Sequence, residues 1–330
     1  MSIIKLKNRV GICAVSSVCG KKEHDGPLGG GFDEYSKDDR FGAKTFEQAE
    51  EEMQRRCLAH ALRKGGFSPC DVDAVLAGDL MNQCTASSYG LLPYGIPHIG
   101  LFGACSTMAE AVLLSALLVD GGHFRRCAAA ASSHYCTAER QFRTPVEYGG
   151  QRTPTAQWTV TGAGCAVIDR GESCMYIKDV LPGRMIDRGV TDAANMGAAM
   201  APAAADTLIR YFRESGTSPS GFDVILTGDL GSEGNSIAVE LLLCEGIKTG
   251  DNFTDCGILM YRADQDVHSG GSGCGCSAAA LASYLYDGFR NKSIKNALFV
   301  GTGALMSPMS VAQGHSIPGI AHLVHFSSEG

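Results

Sequence analysis

A chain of 330 residues with 45% hydrophobic and 19% charged side chains is long enough for one large core or two fused subdomains, and too apolar to be disordered. A formal charge of −7 argues against a nucleic-acid surface and leaves no polybasic patch for a membrane. Fourteen cysteines without a C-x-x-C pair, behind an N-terminus in which Lys5, Lys7 and Arg9 interrupt the apolar run, point to reduced thiols in a soluble chain rather than to disulfides, a zinc clip or a secretory leader.

The N-terminal segment then reads as a strand. Residues 45–66 form an amphipathic helix, with Thr45 and Gln48 spaced as a capping box, and the turn Ser68-Pro69 leads into a strand at Asp73-Ala-Val-Leu-Ala-Gly-Asp79-Leu80. A short apolar strand at 98–101 runs through Gly103-Ala104 straight into the apolar helix of GACSTMAEAVLLSALL. Cys105 therefore stands at a sharp strand-to-helix elbow beside helix-opening N–H groups, the geometry of a nucleophile or an anion site. After a strand at 127–131 comes the polar stretch 135–161, read as a long loop that covers a pocket or a subunit interface.

The second half repeats the plan. A helix at 203–215 and the turn Ser218-Pro219 precede Asp223-Val-Ile-Leu-Thr-Gly-Asp229-Leu230, in which Asp73 and Asp79 return as Asp223 and Asp229. The Gly-rich turn of GGSGCGCSAAALASYL opens another Ala-rich helix, and a strand follows at 297–301. Strands alternating with helices of this length imply βαβ units, so the fold class expected is α/β: duplicated halves, 1–180 and 181–330, in a layered α/β/α/β/α body.

These features together resemble the thiolase and ketoacyl-synthase superfamily, whose nucleophilic cysteine occupies the elbow matched by Cys105 and whose Gly-rich strand entry is matched by WTVTGAGCAVI. A closer resemblance, to a sporulation family of that fold, is carried by AGDLMNQ, FGACSTMAE, SSHYCTAERQFRTPVEYGGQ, MAPAAADT, LTGDL, DCG, GGSGCGCSA and SIPGIAH. It implies a thiolase-like homodimer that binds dipicolinic acid, with or without calcium, and performs no condensation. It also implies membrane proteins of the same operon as partners, at the forespore inner membrane. Neither a resident metal nor a cofactor is expected. The Gly-x-Gly stretches at Gly162, Gly271 and Gly301 lack a dinucleotide fingerprint.

Two kinds of chemistry then compete for the site. A condensing enzyme needs a histidine base and further His or Asn donors around the thiol. Here His268 in DQDVHSGG has no following proline, and the loop GTGALMSP at 301–308 has no second cysteine. A pyridine dicarboxylate instead requires cationic donors and apolar walls. The candidate ligand-binding residues are Cys105, Asn82, His134, Arg140, Gln141, Arg143, Tyr148 and His268, with Arg152 as a further loop arginine; the return of Asp79 as Asp229 points to a shared capping role for both. An acyltransferase using Cys105, with His134 or His268 as base, and a scaffold with an empty pocket are the alternatives.

Overall fold

A computed structural model describes residues 2–142 and 152–330. The first half contains strands β1 (Ile4–Cys19), β2 (Glu34–Tyr35), β3 (Ala74–Gly78), β4 (His98–Gly100), β5 (Arg126–Ser133), β6 (Trp158–Thr159) and β7 (Gly162–Asp169). Its helices are α1 (Lys21–His24), α2 (Phe46–Gly65), α3 (Thr85–Leu91), α4 (Thr107–Asp120) and α5 (Tyr135–Phe142). The second half contains β8 (Tyr176–Leu181), β9 (Val224–Thr227), β10 (Phe253–Asp255), β11 (Gly271–Ser272), β12 (Asn296–Ala304) and β13 (Gly319–Ser327). With them run α6 (Met196–Ser215), α7 (Gly231–Cys244), α8 (Cys256–Met260), α9 (Cys274–Ala280), α10 (Tyr286–Arg290) and α11 (Pro308–Ala312).

The strand order β10-β9-β12-β13-β8-β1-β7-β5-β3-β4 is a palindrome of pairings. From the middle outwards, β1–β7 and β7–β5 are antiparallel while β5–β3 and β3–β4 are parallel. On the other side β8–β13 and β13–β12 are antiparallel while β12–β9 and β9–β10 are parallel. The expected duplication is thus present strand for strand. The halves meet where β1 pairs antiparallel with β8, and the break in the repeat falls between Asp169 and Tyr176. A boundary at 180/181 would cut β8 near its end.

Local chemistry repeats as well. Gly66 and Gly216 close α2 and α6 in the left-handed conformation, at φ 69° and 70°. Asp73 accepts the backbone N–H groups of Arg125 and Arg126 at 2.6 and 2.9 Å, and Asp223 those of Lys295 and Asn296 at 2.7 and 2.9 Å, so one carboxylate in each half ties adjacent parallel strands together at their start.

Three apolar clusters define the layers. One lies between α2 and the first half of the sheet, around Met53, Leu58 and Val75. Another lies between α6 and the second half, around Leu208, Tyr211 and Leu298. The largest fills the middle, where α4 and α9 are enclosed between the two halves. This enclosure accounts for the composition of α4, apolar around most of its circumference, with Glu110, Leu114, Leu117 and Leu118 left half-buried along one stripe. The result is the layered α/β/α/β/α arrangement.

The stretch 135–161 departs from the loop expected of it. Its start is helix α5 and its end is strand β6, which pairs in parallel with β11. Helix α5 forms because Ala138 and Phe142 share one face and find apolar partners, while Thr137 bonds back to the His134 carbonyl at 2.9 Å.

Close approach of α9 to β7 depends on Gly164, where an added Cβ would stand 2.2 Å from the Ala278 carbonyl oxygen, whereas one at Gly221 would meet nothing within 4 Å. Gly164→Ala is expected to destabilise the protein by about 1–3 kcal/mol or more, and Gly221→Ala to stay within about 0.5 kcal/mol of the parent, in urea unfolding followed by circular dichroism.

Candidate functional site

The elbow forms as expected. Beyond β4 the chain turns through a single 3-10 turn, Ala104–Ser106, and enters α4 at Thr107. Ala104 is held at φ +51°, a costly conformation for a residue with a Cβ, and it turns Cys105 towards the carboxyl ends of the strands. There lies a cavity of about 640 Å³ including its mouth. Its walls are Leu80 after β3, Phe102 and Ala104 at the elbow, Ala138 and Phe142 of α5, and Ala193, Ala194 and Met196 at the start of α6. Ala304 and Met306 close the far side, and polar groups come from Cys105, Gln157, Thr159 and Ser272. Glu139 is the one charged side chain among the described lining residues.

Behind the thiol is a carboxylate where a condensing enzyme would require an imidazole. Asp229 follows β9 and is fully buried. Its Oδ1 accepts the Thr302 hydroxyl at 2.8 Å; its Oδ2 accepts the Ser272 hydroxyl at 3.0 Å and the Gly273 N–H at 2.8 Å. Gly273 sits at φ +100°, which a glycine adopts without strain and which turns that N–H onto the carboxylate. Burial, then the charge of Asp229, push the Cys105 thiol well above its ordinary value, and burial raises the Asp229 carboxyl in turn. Reactive cysteines depend on the opposite environment, one that favours the thiolate. The helix-opening N–H groups do not outweigh burial and an adjacent carboxylate.

Asp79 and Asp229 therefore part company. Asp79 does cap its own loop: it accepts the Met81 N–H at 2.9 Å and the Ser87 N–H and hydroxyl at 2.8 and 2.7 Å. In the second half that duty passes to Asp255, which accepts the N–H groups of Leu230, Gly231 and Gly257 at 2.8, 3.0 and 2.9 Å. Asp229 is released to reach β11, the start of α9 and β12. Its appearance in the repeat was the one signal in the sequence, and the repeat alone pointed to the wrong role.

Of the residues expected at the site, Cys105 is in the cavity wall and the other described ones are elsewhere. His134 is buried with both ring nitrogens engaged: Nε2 donates to the Asp39 carbonyl at 2.8 Å and Nδ1 accepts the Cys136 N–H at 3.1 Å. Burial lowers its pKa, so the ring is a neutral structural tie. Gln141 latches α5 to the loop after β3, donating to the Leu80 carbonyl at 2.8 Å and accepting the Asn82 N–H at 3.0 Å. Arg140 is exposed and pairs with Glu47 at 2.5 Å. His268 lies with Nδ1 2.6 Å from the Thr153 carbonyl and Nε2 3.2 Å from Asp266. Arg143 and Tyr148 fall outside the described residues. The cavity residues that the sequence did not single out, Gln157, Ser272 and Met196 among them, come from segments remote in sequence and brought together only by the duplication.

Beneath α5, buried Glu50 accepts the Ser132 hydroxyl at 3.0 Å and the Thr137 hydroxyl at 2.8 Å. Burial, then the neighbouring Asp79, push its carboxyl up to about 8. The cavity wall formed by α5 thus rests on a carboxyl that is largely protonated at neutral pH.

Residues 2–327 match the family model described as stage V sporulation protein AD (SpoVAD). The chain belongs to the SpoVAD family. Stage V sporulation protein AD of Bacillus subtilis is 42% identical over 317 residues, covering 96% of this chain and 94% of that protein. Among solved structures the fold is shared with 3-oxoacyl-(acyl-carrier-protein) synthase III of Aquifex aeolicus, with a TM-score of 0.58, 15% identity and coverage of 96% and 99% of the two chains. It is shared also with cerulenin-bound OleA of Xanthomonas campestris, with a TM-score of 0.61, 12% identity and coverage of 97% and 98%. This SpoVAD family member is therefore a sporulation protein with a thiolase-like fold. No helix among its described residues is long and apolar enough to cross a membrane.

The protonated state of Cys105 has a direct chemical readout. In iodoacetamide labelling at about pH 8, followed by peptide mass spectrometry, the exposed Cys70 and Cys244 should be modified and Cys105 should remain free thiol. Labelling of Cys105 at the rate of those two would contradict the assignment.

Proposed function

We propose that this SpoVAD family member holds its ligand without transforming it, in the cavity beside Cys105. The observation that carries the reading is the setting of Cys105: a thiol kept protonated by burial and by the nearby charge of Asp229 is poorly suited to accept an acyl group, and no histidine stands among the described lining residues to serve as base. The acyltransferase alternative needs both.

The ligand proposed is dipicolinic acid, the compound that the family resemblance implies. The cavity offers apolar walls for a pyridine ring and the Thr159 hydroxyl for a carboxylate oxygen. Its charge balance favours one form of that ligand. With Asp229 behind Cys105, a bare dianion meets like charge, whereas chelation by calcium cancels both ligand charges before entry. The calcium chelate is accordingly the species bound, and delivery to the membrane proteins of the same operon, at the forespore inner membrane, is the role that follows.

The chain is also proposed to act as a homodimer. Strand β4 pairs on one side alone, with β3, and its three residues are exposed. Around that free edge Tyr89, Leu92 and Phe102 are 63%, 71% and 50% exposed, an apolar fringe on an unpaired strand edge that a second copy would cover. In sedimentation velocity the protein should run at twice the chain mass, and the double variant Leu92→Glu with Ile99→Lys should run as a monomer; a parent that is already monomeric would dismiss the dimer.

Titration calorimetry at neutral pH tests the ligand. Saturable binding of one dipicolinate per chain is expected with calcium present, weakened about tenfold or more without it, and lost in Ala138→Phe, whose ring fills the cavity. Heat that never saturates under either condition would remove the binding role, and turnover of an acyl-CoA with acylation of Cys105 would replace it with the enzymatic one.

A further inference from the structure

Trp158, the one tryptophan of the chain, lies between two cavity residues and faces the other way. Gln157 and Thr159 line the cavity, and alternation along β6 turns the indole to the opposite side. There the Tyr135 ring is stacked on it at 3.7 Å, with 9° between the planes. Lys22 places its ammonium 3.6 Å from the indole centroid, and since Tyr135 covers one face at that distance, Lys22 occupies the other. The guanidinium carbon of Arg152 is 4.9 Å from the same centroid.

Two cations thus converge on one ring, and their carboxylate partners do not cover both. Arg152 donates through Nη2 to the Asp266 carbonyl at 2.7 Å and to its Oδ2 at 2.9 Å, while Nη1 is buried with no hydrogen-bond partner. The other carboxylate oxygen of Asp266 lies 3.2 Å from His268 Nε2. Lys22 has no ion-pair partner among the described residues; the nearby Glu23 turns inward, where it accepts the Thr161 N–H at 3.1 Å and the Tyr261 hydroxyl. Burial, and then the like charge of Arg152, lower the Lys22 pKa, and the charges of Asp266 and Glu23 offset them only in part. Asp266 and His268 are both held at positive φ, 52° and 56°, and Gln265 donates to the Lys22 carbonyl at 2.7 Å, so the second-half loop and α1 are fixed against each other.

We propose that Lys22 and Arg152 form a second ligand site on the outer side of Trp158, separate from the cavity, that takes an oxyanion: a carboxylate or a phosphate group held by the Lys22 ammonium beside the Arg152 guanidinium. This site does not depend on what the cavity binds.

The single tryptophan gives the experiment its signal. The full chain is titrated with inorganic phosphate and, separately, with acetate, at ionic strength held constant by chloride, while indole emission is recorded. A saturable change at millimolar anion is expected, with the dissociation constant raised about tenfold in Lys22→Met and in Arg152→Gln, and unchanged in the cavity variant Ala138→Phe. Saturation by phosphate alone assigns the site to phosphate groups, and saturation by acetate assigns it to carboxylates. Emission that changes only linearly with either anion, or saturates equally in both cation variants, overturns the proposal. Lys22→Met keeps the apolar stem against the indole and leaves the Arg152–Asp266 pair intact, so a fold defect in Arg152→Gln would not hide the outcome.

Discussion

Everything distinctive about this site depends on one buried carboxylate beside the elbow that carries Cys105. Asp229 is held by the Gly273 N–H that precedes α9 and by hydroxyls on β11 and β12, and its charge bears on the Cys105 thiol of the first half. Three segments remote in sequence are tied at one point. The elbow is fastened to α9 separately, by the Ser277 hydroxyl donating to the Cys105 carbonyl at 3.4 Å. Charge-assisted hydrogen bonds like those of Asp229 contribute about 1.5–3 kcal/mol each when both groups are buried and matched, and leave a comparable penalty when one is removed. The anchor that orders the pocket adds to burial in holding the thiol in its unreactive form.

The wall opposite is built on a different principle. Helix α5 is held by the Thr137 hydroxyl on Glu50, by the Gln141 latch and by packing of Ala138 and Phe142 into the cavity. One side of the pocket is thus fixed by a buried ionic centre, the other by a short helix resting on a carboxyl that burial keeps largely protonated. A pocket with one rigid and one more weakly seated wall suits a protein that must take up and release a ligand rather than orient it for a reaction.

Much of the architecture was legible in the sequence because it rests on local chemistry that repeats. Gly66 and Gly216, Ser68 and Ser218, and Asp73 and Asp223 do the same work in both halves, so the duplication could be read from their recurrence. The elbow at Cys105 was legible for the same reason, since small residues between an apolar strand and an apolar helix have few other conformations. The site was not. His134 and Gln141 carry functional groups that serve backbone carbonyls and N–H groups within the first half, and composition does not reveal which donors are already spent. Asp229 failed to stand out because its repeat partner Asp79 is an ordinary cap, and only the three-dimensional hand-over of that role to Asp255 exposes the difference. The helix within 135–161 was hidden by a polar composition that overrides a short apolar stripe.

The placement of β13 has a consequence for how the molecule is made. The first half of the sheet has all its strands once Asp169 has been synthesised, whereas in the second half β13 lies between β12 and β8 and is the last strand of the sheet to emerge from the ribosome. Until Gly319–Ser327 arrives, the inner edges of β12 and β8 have no partner, and α6 has a gap beneath it where Leu323 and Ala321 later pack. The nascent chain therefore carries an unpaired edge on β8 through most of the translation of its second half, joined by that of β12 once Asn296–Ala304 is made, and a single late insertion closes both.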